Sequence, residues 1–326
     1  MPERRHEHAA ELQELGLAAP DDTTMHYLWQ IVDEGVLGAS RHVKLSNELM
    51  AHLIETHEDG VERARLVAGF IARTRGHDTP VIGNNLQLLL AGLDAVPAAE
   101  QARELRERIA RWDASAAERK QRLVASAVSH LSGARGILAF DYSSTVAAIV
   151  IAMAKDGQAF ELVVPESRAI AGGARYLEDF LPAGLSVSFI PDAAIEHGMQ
   201  ACDAALFGIE TLRADGSFLN TIGSRMIARL AGPMGVEIYG ATDMLKLDRR
   251  SYGGHRPSPA IRTYDGVLKT GIDMPGIETV TTRAPELEVI PANLVTSILT
   301  EHGPVPPAAI WALGREMFDM DKGEPA

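Results

Sequence analysis

The hydrophobic rhythm of the chain changes near Gly136, and this change constrains the fold more than any other feature. Before it, apolar residues recur at helical spacing, as in Leu45, Leu49 and Leu53. After it, short apolar runs alternate with longer helical patterns; the runs are GILAF, FELVVP, SVSFIP, DAALFGIE and VEIYGA. Such alternation is typical of a parallel sheet with right-handed crossovers. The sequence therefore predicts an α/β protein, with a helical domain over 1–132 and a parallel-sheet domain over 133–326.

The segments between these runs are predicted helices. They are STVAAIVIAMAK, GGARYLEDFLPAG, DAAIEHGMQA and SFLNTIGSRMIARLA. In the first domain, Pro80 and Gly83 interrupt the helical pattern after Arg73 and Arg75. A loop that leads into a new helix is expected at that point.

Composition and motifs exclude several classes of protein. The 326 residues carry a net charge of −13, which argues against a general nucleic-acid partner. Cys202 is the only cysteine, so an intrachain disulfide and a multi-cysteine metal site are excluded. The sequence has no GxGxxG, P-loop, GxSxG or HExxH motif, and we predict neither a cofactor nor a metal site.

No targeting or membrane-spanning segment is expected. The N-terminus is charged from its third residue and lacks the apolar stretch of a signal peptide. Apolar runs are much shorter than the ~20 residues that a bilayer requires. We therefore expect a cytoplasmic protein with no membrane partner.

Polar side chains follow each predicted strand, where parallel sheets bind ligands. Five of them stand out as candidates for a site, namely Asp141, Arg168, Glu210, Asn220 and Lys246. Gly172-Gly173 opens a helix and presents backbone N–H groups to an anion. Individually, such residues are often helix N-caps, and we interpret Asp192 and Ser143 or Ser144 in that way. Polar residues at every strand end are harder to explain by capping alone.

Three segments resemble a known family in their order and spacing. They are PESRAIAGGARYLEDFLPAGLSVSFIPDAA, DAALFGIETLRADGSFLNTIGSRMIARLA and PELEVIPANLVTSILTEHGPVPPAAI. The family includes the alpha, beta and delta subunits of eukaryotic translation initiation factor 2B. It also includes isomerases of methylthioribose 1-phosphate and ribose 1,5-bisphosphate. The resemblance, from about residue 45 to about residue 310, implies an N-terminal helical domain and a Rossmann-like domain that carries most of the ligand site.

The resemblance also implies roles for residues at the strand ends. In the isomerases, a cysteine follows the first strand of the Rossmann-like domain and an aspartate follows the fourth. Asp141 and Glu210 stand at the matching positions, so this chain departs from the enzyme pattern at both. Asn220 matches the family's asparagine, although Thr221 replaces the lysine beside it. Lys246 matches a lysine after the fifth strand.

Two carboxylates can still perform aldose–ketose isomerisation. In this reaction one group moves a proton between C2 and C1, and the other exchanges protons with the sugar oxygens. A close pair shares a proton, which raises one pKa. Asp141 and Glu210 form such a pair if the first and fourth strands are neighbours. The alternative is structural: Asp141 caps the next helix and Glu210 makes a buried ion pair.

An arginine fork suits a phosphate group. By resemblance, Arg73, Arg75 and Arg168 are predicted to bind the phosphate of a phosphorylated small-molecule ligand, and Asn220 and Lys246 to contact its sugar oxygens. The alternative for each arginine is a surface salt bridge. The Gly-, Pro- and Arg-rich segment 249–266 is either a loop in which His255 or Arg256 closes over the ligand, or a surface or oligomer contact.

Two functional hypotheses follow. In the first, the chain is an aldose–ketose isomerase of a sugar 1-phosphate, with Asp141 and Glu210 as acid and base. In the second, it is a non-catalytic protein that binds a sugar phosphate or a nucleotide, like the regulatory or assembly subunits of the initiation factor, which also lack the cysteine. The resemblance further implies a homodimer or higher homo-oligomer.

Overall fold

A computed structural model describes residues 10–17, 20–33, 39–169, 171–257, 259, 261–263, 275–276, 279–281 and 283–318. The chain divides into two compact units, Met1–Glu118 and Arg119–Ala326. The division falls inside a single long helix, Ala98–His130. Among the described residues, no helix combines the length and apolar character that crossing a membrane requires.

The first unit is built from helices. They comprise a turn of helix at 10–14, Asp22–Val32, Ala39–Thr56, Gly60–Arg73, Arg75–Asp78, Pro80–Leu90, the 3-10 turn Leu93–Ala95 and the first part of Ala98–His130. The apolar stripe predicted from helical spacing is buried: Leu49 and Leu53 are at most 1% exposed, as is Ile71 on the following helix. This burial, at about 25 cal/mol for each Å² of apolar surface, stabilises the helical unit.

The predicted interruption after Arg73 is present. Helix Gly60–Arg73 ends at Thr74, whose hydroxyl donates to Phe70 O at 2.8 Å. The short helix Arg75–Asp78 stands where a loop was expected, and Pro80 then begins helix Pro80–Leu90, at a position whose N–H has no partner within a helix. Gly83, which was also predicted to interrupt the pattern, lies inside that helix instead.

The second unit contains a seven-stranded sheet. Its strands, in the spatial order β13–β12–β7–β4–β1–β2–β3, are Gly303–Val305, Ser297–Thr300, Glu237–Ala241, Ala204–Gly208, Gly136–Phe140, Glu161–Pro165 and Ser188–Ile190. All neighbours are parallel except β12 and β13. Because the chain winds outward in both directions from the β1–β4 pair, the strand order reverses there. This is where ligands bind in doubly wound sheets.

Both faces of the sheet are covered, which explains why its strands are continuous apolar runs. Along β1, Leu138 and Phe140 enter one core, and Ile137 and Ala139 enter the other. The end of helix Ala98–His130 precedes β1, and the other helices of this unit follow strands: Ser144–Lys155, Gly172–Phe180, Ile195–Met199, Ser224–Met234 and Ile310–Met317. The predicted fold class, a helical region followed by a domain with a mainly parallel sheet, is confirmed.

A smaller sheet lies beside the strand ends. Its order is β11–β6–β5–β8, with β5 at Thr211–Arg213, β6 at Phe218–Thr221, β8 at Leu247–Asp248 and β11 at Leu287–Ile290. A separate pair joins β9, Ile261–Thr263, to β10, Arg283–Pro285. The prediction of one helix over SFLNTIGSRMIARLA is therefore wrong in its first part. Residues 218–221 form β6 because they pair with β5 and β11, and the helix begins at Ser224.

Candidate functional site

Asp141 lies at the carboxyl end of β1, where the strand order reverses. Its backbone has φ +55°, in the left-handed region that aspartate tolerates better than most residues. The Ser143 side chain, not that of Asp141, caps the next helix by accepting from the N–H groups of Thr145 and Val146. The interpretation of Ser143 as an N-cap is thus confirmed, and the carboxyl group of Asp141 is not used for capping.

The Asp141 carboxyl is buried, with 7% of the residue exposed, and receives two hydroxyl hydrogen bonds. Thr221 Oγ1 donates to Oδ2 at 2.5 Å, and Ser167 Oγ donates to Oδ1 at 3.4 Å. Burial raises the pKa of Asp141 from 3.8 to about 6; the hydrogen bonds oppose this shift, and the charge of Glu210 adds to it. The group therefore titrates close to neutrality, as a general base for chemistry at pH 7 must.

The helix Gly172–Phe180 begins against this carboxyl group. A Cβ on Gly172 would overlap Asp141 Oδ1, and a Cβ on Gly173 would overlap Pro165 O. Glycine at both positions therefore allows the helix N-terminus to approach the ends of β1 and β2. The positive end of the helix dipole faces the strand ends, where it favours an anion.

The segment between β2 and this helix has a strained backbone. Ser167 and Ala171 have φ of +47° and +56°, so three non-glycine residues with positive φ, including Asp141, belong to the loops after β1 and β2. Asp192 holds the segment by accepting from the N–H groups of Ser167 at 2.9 Å and Arg168 at 2.8 Å. The interpretation of Asp192 as an N-cap is wrong, because its carboxylate satisfies a loop 24–25 residues away in sequence.

Arg168 projects from this loop with its side chain 44% exposed. Its guanidinium lies 3.5 Å from the Glu166 carboxylate. An exposed ion pair of this kind contributes little to stability, and the exposed part of the side chain is accessible to an anionic ligand.

Glu210 follows β4, directly beside β1, so the predicted adjacency of the first and fourth strands is confirmed. The contribution of its charge to the raised pKa of Asp141 shows that the two carboxyl groups interact. Glu210 forms no ion pair within the described part of the chain. Lys246, in the 3-10 turn Met244–Lys246 after β7, donates from Nζ to Ile209 O at 2.6 Å, beside Glu210.

Asn220 and Thr221 are buried on β6 and lead toward the helix Ser224–Met234. Asn220 Nδ2 donates to Ser224 Oγ at 3.0 Å. The Glu288 carboxylate, on β11, accepts from the N–H groups of Gly223 and Arg225 at 2.7 and 2.8 Å. The N-terminal N–H groups of helix Ser224–Met234 are thus bound by the Glu288 carboxylate. The N-terminus of helix Gly172–Phe180 instead faces Asp141.

Arg73 and Arg75 belong to the helical unit, at the end of helix Gly60–Arg73 and the start of Arg75–Asp78. Their predicted contact with phosphate stays a prediction. In the segment 249–266, Arg256 pairs with Asp215 at 3.2 Å and donates to Ser251 O at 2.7 Å. Residues 258, 260 and 264–266 of that segment lie outside the described residues.

The sequence interpretation missed a second buried carboxyl group, Glu301, at the end of β12. Burial and the nearby charge of Asp243 raise the pKa of Glu301 from 4.5 to about 7. Both of its carboxylate oxygens accept from Met244 N–H, at 3.2 and 3.1 Å. Because Met244 begins the turn that carries Lys246, Glu301 supports the position of that lysine. If β12 had been predicted as a strand, Glu301 would have been identified as a polar residue that follows a strand.

Cys202 does not supply the thiol that Asp141 replaces. It precedes β4, at the opposite end of that strand from Glu210, and packs against the core. Burial raises the pKa of its thiol to about 12, so the thiol is unreactive at neutral pH. Among the described residues, the group able to hold a metal ion lies elsewhere, in the helical unit: Asp21, His52 and His57.

The chain is similar to several known proteins. Ribose 1,5-bisphosphate isomerase from Haloterrigena turkmenica is 28% identical over 252 residues, or 74% of this chain and 76% of that protein. Methylthioribose-1-phosphate isomerase from Herpetosiphon aurantiacus is 29% identical over 171 residues, or 52% of this chain and 48% of that protein. Seven curated relatives, including the latter, are matched over 47% to 58% of their own length.

Solved structures share the fold. Translation initiation factor eIF-2B from Pyrococcus horikoshii OT3 superimposes with a TM-score of 0.74 at 19% identity, covering 88% of this chain and 98% of that one. The 5-methylthioribose 1-phosphate isomerase of the same organism gives 0.73 at 21% identity, covering 91% of this chain and 88% of that one. The family model described as the initiation factor 2 subunit family matches residues 44–307. The resemblance inferred from the sequence is thus confirmed, and the chain belongs to the initiation factor 2 subunit (IF-2B) family.

Proposed function

We propose that this protein is an aldose–ketose isomerase of a sugar 1-phosphate. The observation that carries the proposal is the buried Asp141 carboxyl, whose pKa of about 6 suits proton transfer near neutrality. It stands at the strand-order reversal, where doubly wound sheets bind ligands. The isomerase names of the relatives support the same class, since both named substrates are pentoses phosphorylated at C1.

The reaction requires ring opening and one proton transfer between adjacent carbons. Glu210 gives a proton to the ring oxygen as the bond between that oxygen and C1 breaks. Asp141, as the carboxylate, removes the proton from C2, and the electron pair forms a C1–C2 double bond. The product of this step is an enediol whose C1 oxygen still carries the phosphate. Return of the proton from Asp141 to C1, with loss of the O2 proton to Glu210, leaves a ketone at C2.

Thr221 and Ser167 orient the base by donating to its two oxygens. These bonds stabilise the ionised carboxylate and keep its pKa from rising further under burial. In this proposal both residues are positioning residues for Asp141.

The phosphate is assigned to Arg168 and the N-terminus of helix Gly172–Phe180, with Arg73 and Arg75 as further phosphate contacts. Asn220 and Lys246 are assigned to the sugar oxygens. The phosphate assignment is supported by the half-exposed guanidinium of Arg168 and by the glycines that keep the helix N-terminus free of side chains.

The test is turnover of ribose 1,5-bisphosphate, methylthioribose 1-phosphate and ribose 1-phosphate, followed by NMR. Asp141→Asn and Glu210→Gln should each lower kcat by about 10²- to 10⁴-fold, the usual contribution of a general acid or base. In D2O, deuterium should enter the product at C1, because the proton on Asp141 exchanges with solvent. The exposed Asp156→Asn is the matched control and should retain full activity. Unchanged turnover in Asp141→Asn would refute the assigned role.

A second function is favoured by the absence of a thiol at the position of Asp141. In it, the same strand ends bind a sugar phosphate or a nucleotide without turnover, as part of a regulatory or assembly protein. Saturable binding of one of these ligands with no product in the NMR assay would support this function and exclude the first. The cytoplasmic location and the homodimer or higher homo-oligomer stay predictions.

A further inference from the structure

We propose that Asp21, His52 and His57 of the helical unit form a binding site for a divalent metal ion that prefers nitrogen ligands, of which Zn²⁺ is the best fit. One ligand atom from each residue lies within 4.8 Å of the other two. The inference is independent of the isomerase proposal, because all three residues belong to the helical unit.

Two segments of the chain bring these side chains together. Asp21 is the N-cap of helix Asp22–Val32, His52 lies in helix Ala39–Thr56, four residues before its end, and His57 follows that helix directly. The Nε2 atoms of both imidazoles point at one carboxylate: His57 Nε2 lies 3.0 Å from Asp21 Oδ2, and His52 Nε2 lies 3.3 Å from both carboxylate oxygens.

These separations suit a metal ion. In a tetrahedral zinc site, bonds of about 2.0–2.1 Å to nitrogen and oxygen place neighbouring ligand atoms about 3.3 Å apart. Nitrogen and carboxylate donors together favour Zn²⁺ over Mg²⁺ or Ca²⁺, which take oxygen ligands. A metal ion between these atoms would replace the hydrogen bonds that now join the imidazoles to the carboxylate.

The surroundings leave room for a fourth ligand. The side chains of His52, His57 and Asp21 are 21%, 24% and 34% exposed, so a water molecule has access to the site.

The Thr24 contacts make Asp21 a rigid ligand. Asp21 Oδ1 accepts from Thr24 N–H at 2.7 Å, and Thr24 Oγ1 donates to Oδ2 at 3.2 Å. A metal ion bound to Asp21 thereby ties the start of one helix to the end of the next. We expect bound Zn²⁺ to raise the Tm of the helical unit, because it binds only where the two segments are assembled.

The experiment is titration of metal-free, untagged full-length protein with ZnCl2 by calorimetry, and with CoCl2 by visible absorption. We expect one saturable site, the strong d–d absorption of four-coordinate Co²⁺, and a higher Tm with Zn²⁺ but not with Mg²⁺. His52→Gln and His57→Gln should each weaken Zn²⁺ binding at least about tenfold, since even indirect support of a ligand contributes that much. Asp21→Asn should do the same, while asparagine keeps the N-cap.

Two controls make the result specific. His197→Gln changes an exposed histidine of the sheet unit, and a His6→Gln/His8→Gln double variant removes the terminal histidines; both should bind Zn²⁺ like the unmodified chain. The metal-free Tm of each variant shows whether it is folded. The proposal is overturned if the unmodified chain shows no saturable site, if the folded His52 and His57 variants bind normally, or if the terminal double variant loses the site.

Discussion

Replacing Asp141 by asparagine should stabilise the sheet unit at neutral pH while it removes the proposed base. Burial raises the pKa of this carboxyl from 3.8 to about 6, a difference of about 2 units. At about 1.4 kcal/mol per unit, the ionised carboxylate costs the folded state about 3 kcal/mol at pH 8. Asparagine keeps the left-handed backbone and an acceptor for Thr221. If the longer Ser167 bond is lost, at about 1 kcal/mol, the net gain is about 2 kcal/mol.

The sign of the pH dependence follows from the direction of the pKa shift. Because the pKa of Asp141 is higher in the folded state, that state binds more protons between about pH 4 and 6. Wild-type stability therefore falls as the pH rises through about 6, whereas Asp141→Asn lacks this loss. The assay is thermal unfolding of both proteins from pH 4 to 8. At pH 8 the variant should unfold about 4–8 °C higher, and near pH 4, where only the loss of the Ser167 bond remains, it should unfold about 2–4 °C lower.

Asp203 provides a matched control, because its carboxylate lies at the opposite end of β1 from Asp141. Asp203 accepts from the N–H groups of Arg135 and Gly136 as β1 begins. Against the effect of burial, these bonds and the Arg135 side chain lower the pKa of Asp203. Asp203→Asn should therefore lower the Tm at neutral pH, and this loss should shrink in acid. A Tm difference for Asp141→Asn that is independent of pH, or a lower Tm at pH 8, would refute the reasoning.

Three further substitutions test the surroundings of this carboxyl group. Gly172→Ala places a Cβ on Asp141 Oδ1 and should lower stability by about 1–3 kcal/mol, measured by urea unfolding; no change in midpoint would contradict the close approach. Thr221→Val removes a hydrogen bond that lowers the pKa of Asp141. The acid limb of the kcat/KM profile should therefore move up by about one pH unit. Thr221→Ser keeps the hydroxyl group and should leave the acid limb in place. Glu301→Gln should raise the Tm at pH 8 but not at pH 4. The reason is that burial raises the pKa of Glu301 to about 7, so its ionised form destabilises the folded state. A higher Tm at both pH values would contradict this.

The sequence predicts the parallel sheet well because buried parallel strands have a local signature. All five predicted runs correspond to strands of the sheet, namely β1, β2, β3, β4 and β7. The strand β6 was missed because Phe218 and Leu219 also fit the stripe of the helix that follows. Its partners, β5 and β11, decide its conformation, and β11 comes about 70 residues later.

The sequence places Asp141 at the end of a strand, but it does not reveal the contacts that surround this residue. Asp141 is found by its position after an apolar run. Its hydroxyl donors, Ser167 and Thr221, lie 26 and 80 residues away, and no local pattern connects them to it. The same holds for the histidine cluster, where 31 and 36 residues separate Asp21 from its partners. Only the folded chain brings such groups together.

The positive-φ loop residues Asp141, Ser167 and Ala171 have a consequence for how this protein can evolve. Glycine at 167 or 171 would adopt the same backbone without strain. Selection for thermostability alone would therefore favour substitutions in the loops after β1 and β2, the same loops that surround the proposed base. A library sorted for heat resistance should accumulate changes there and lose turnover as it does so, whereas a library sorted for turnover should keep these less stable residues.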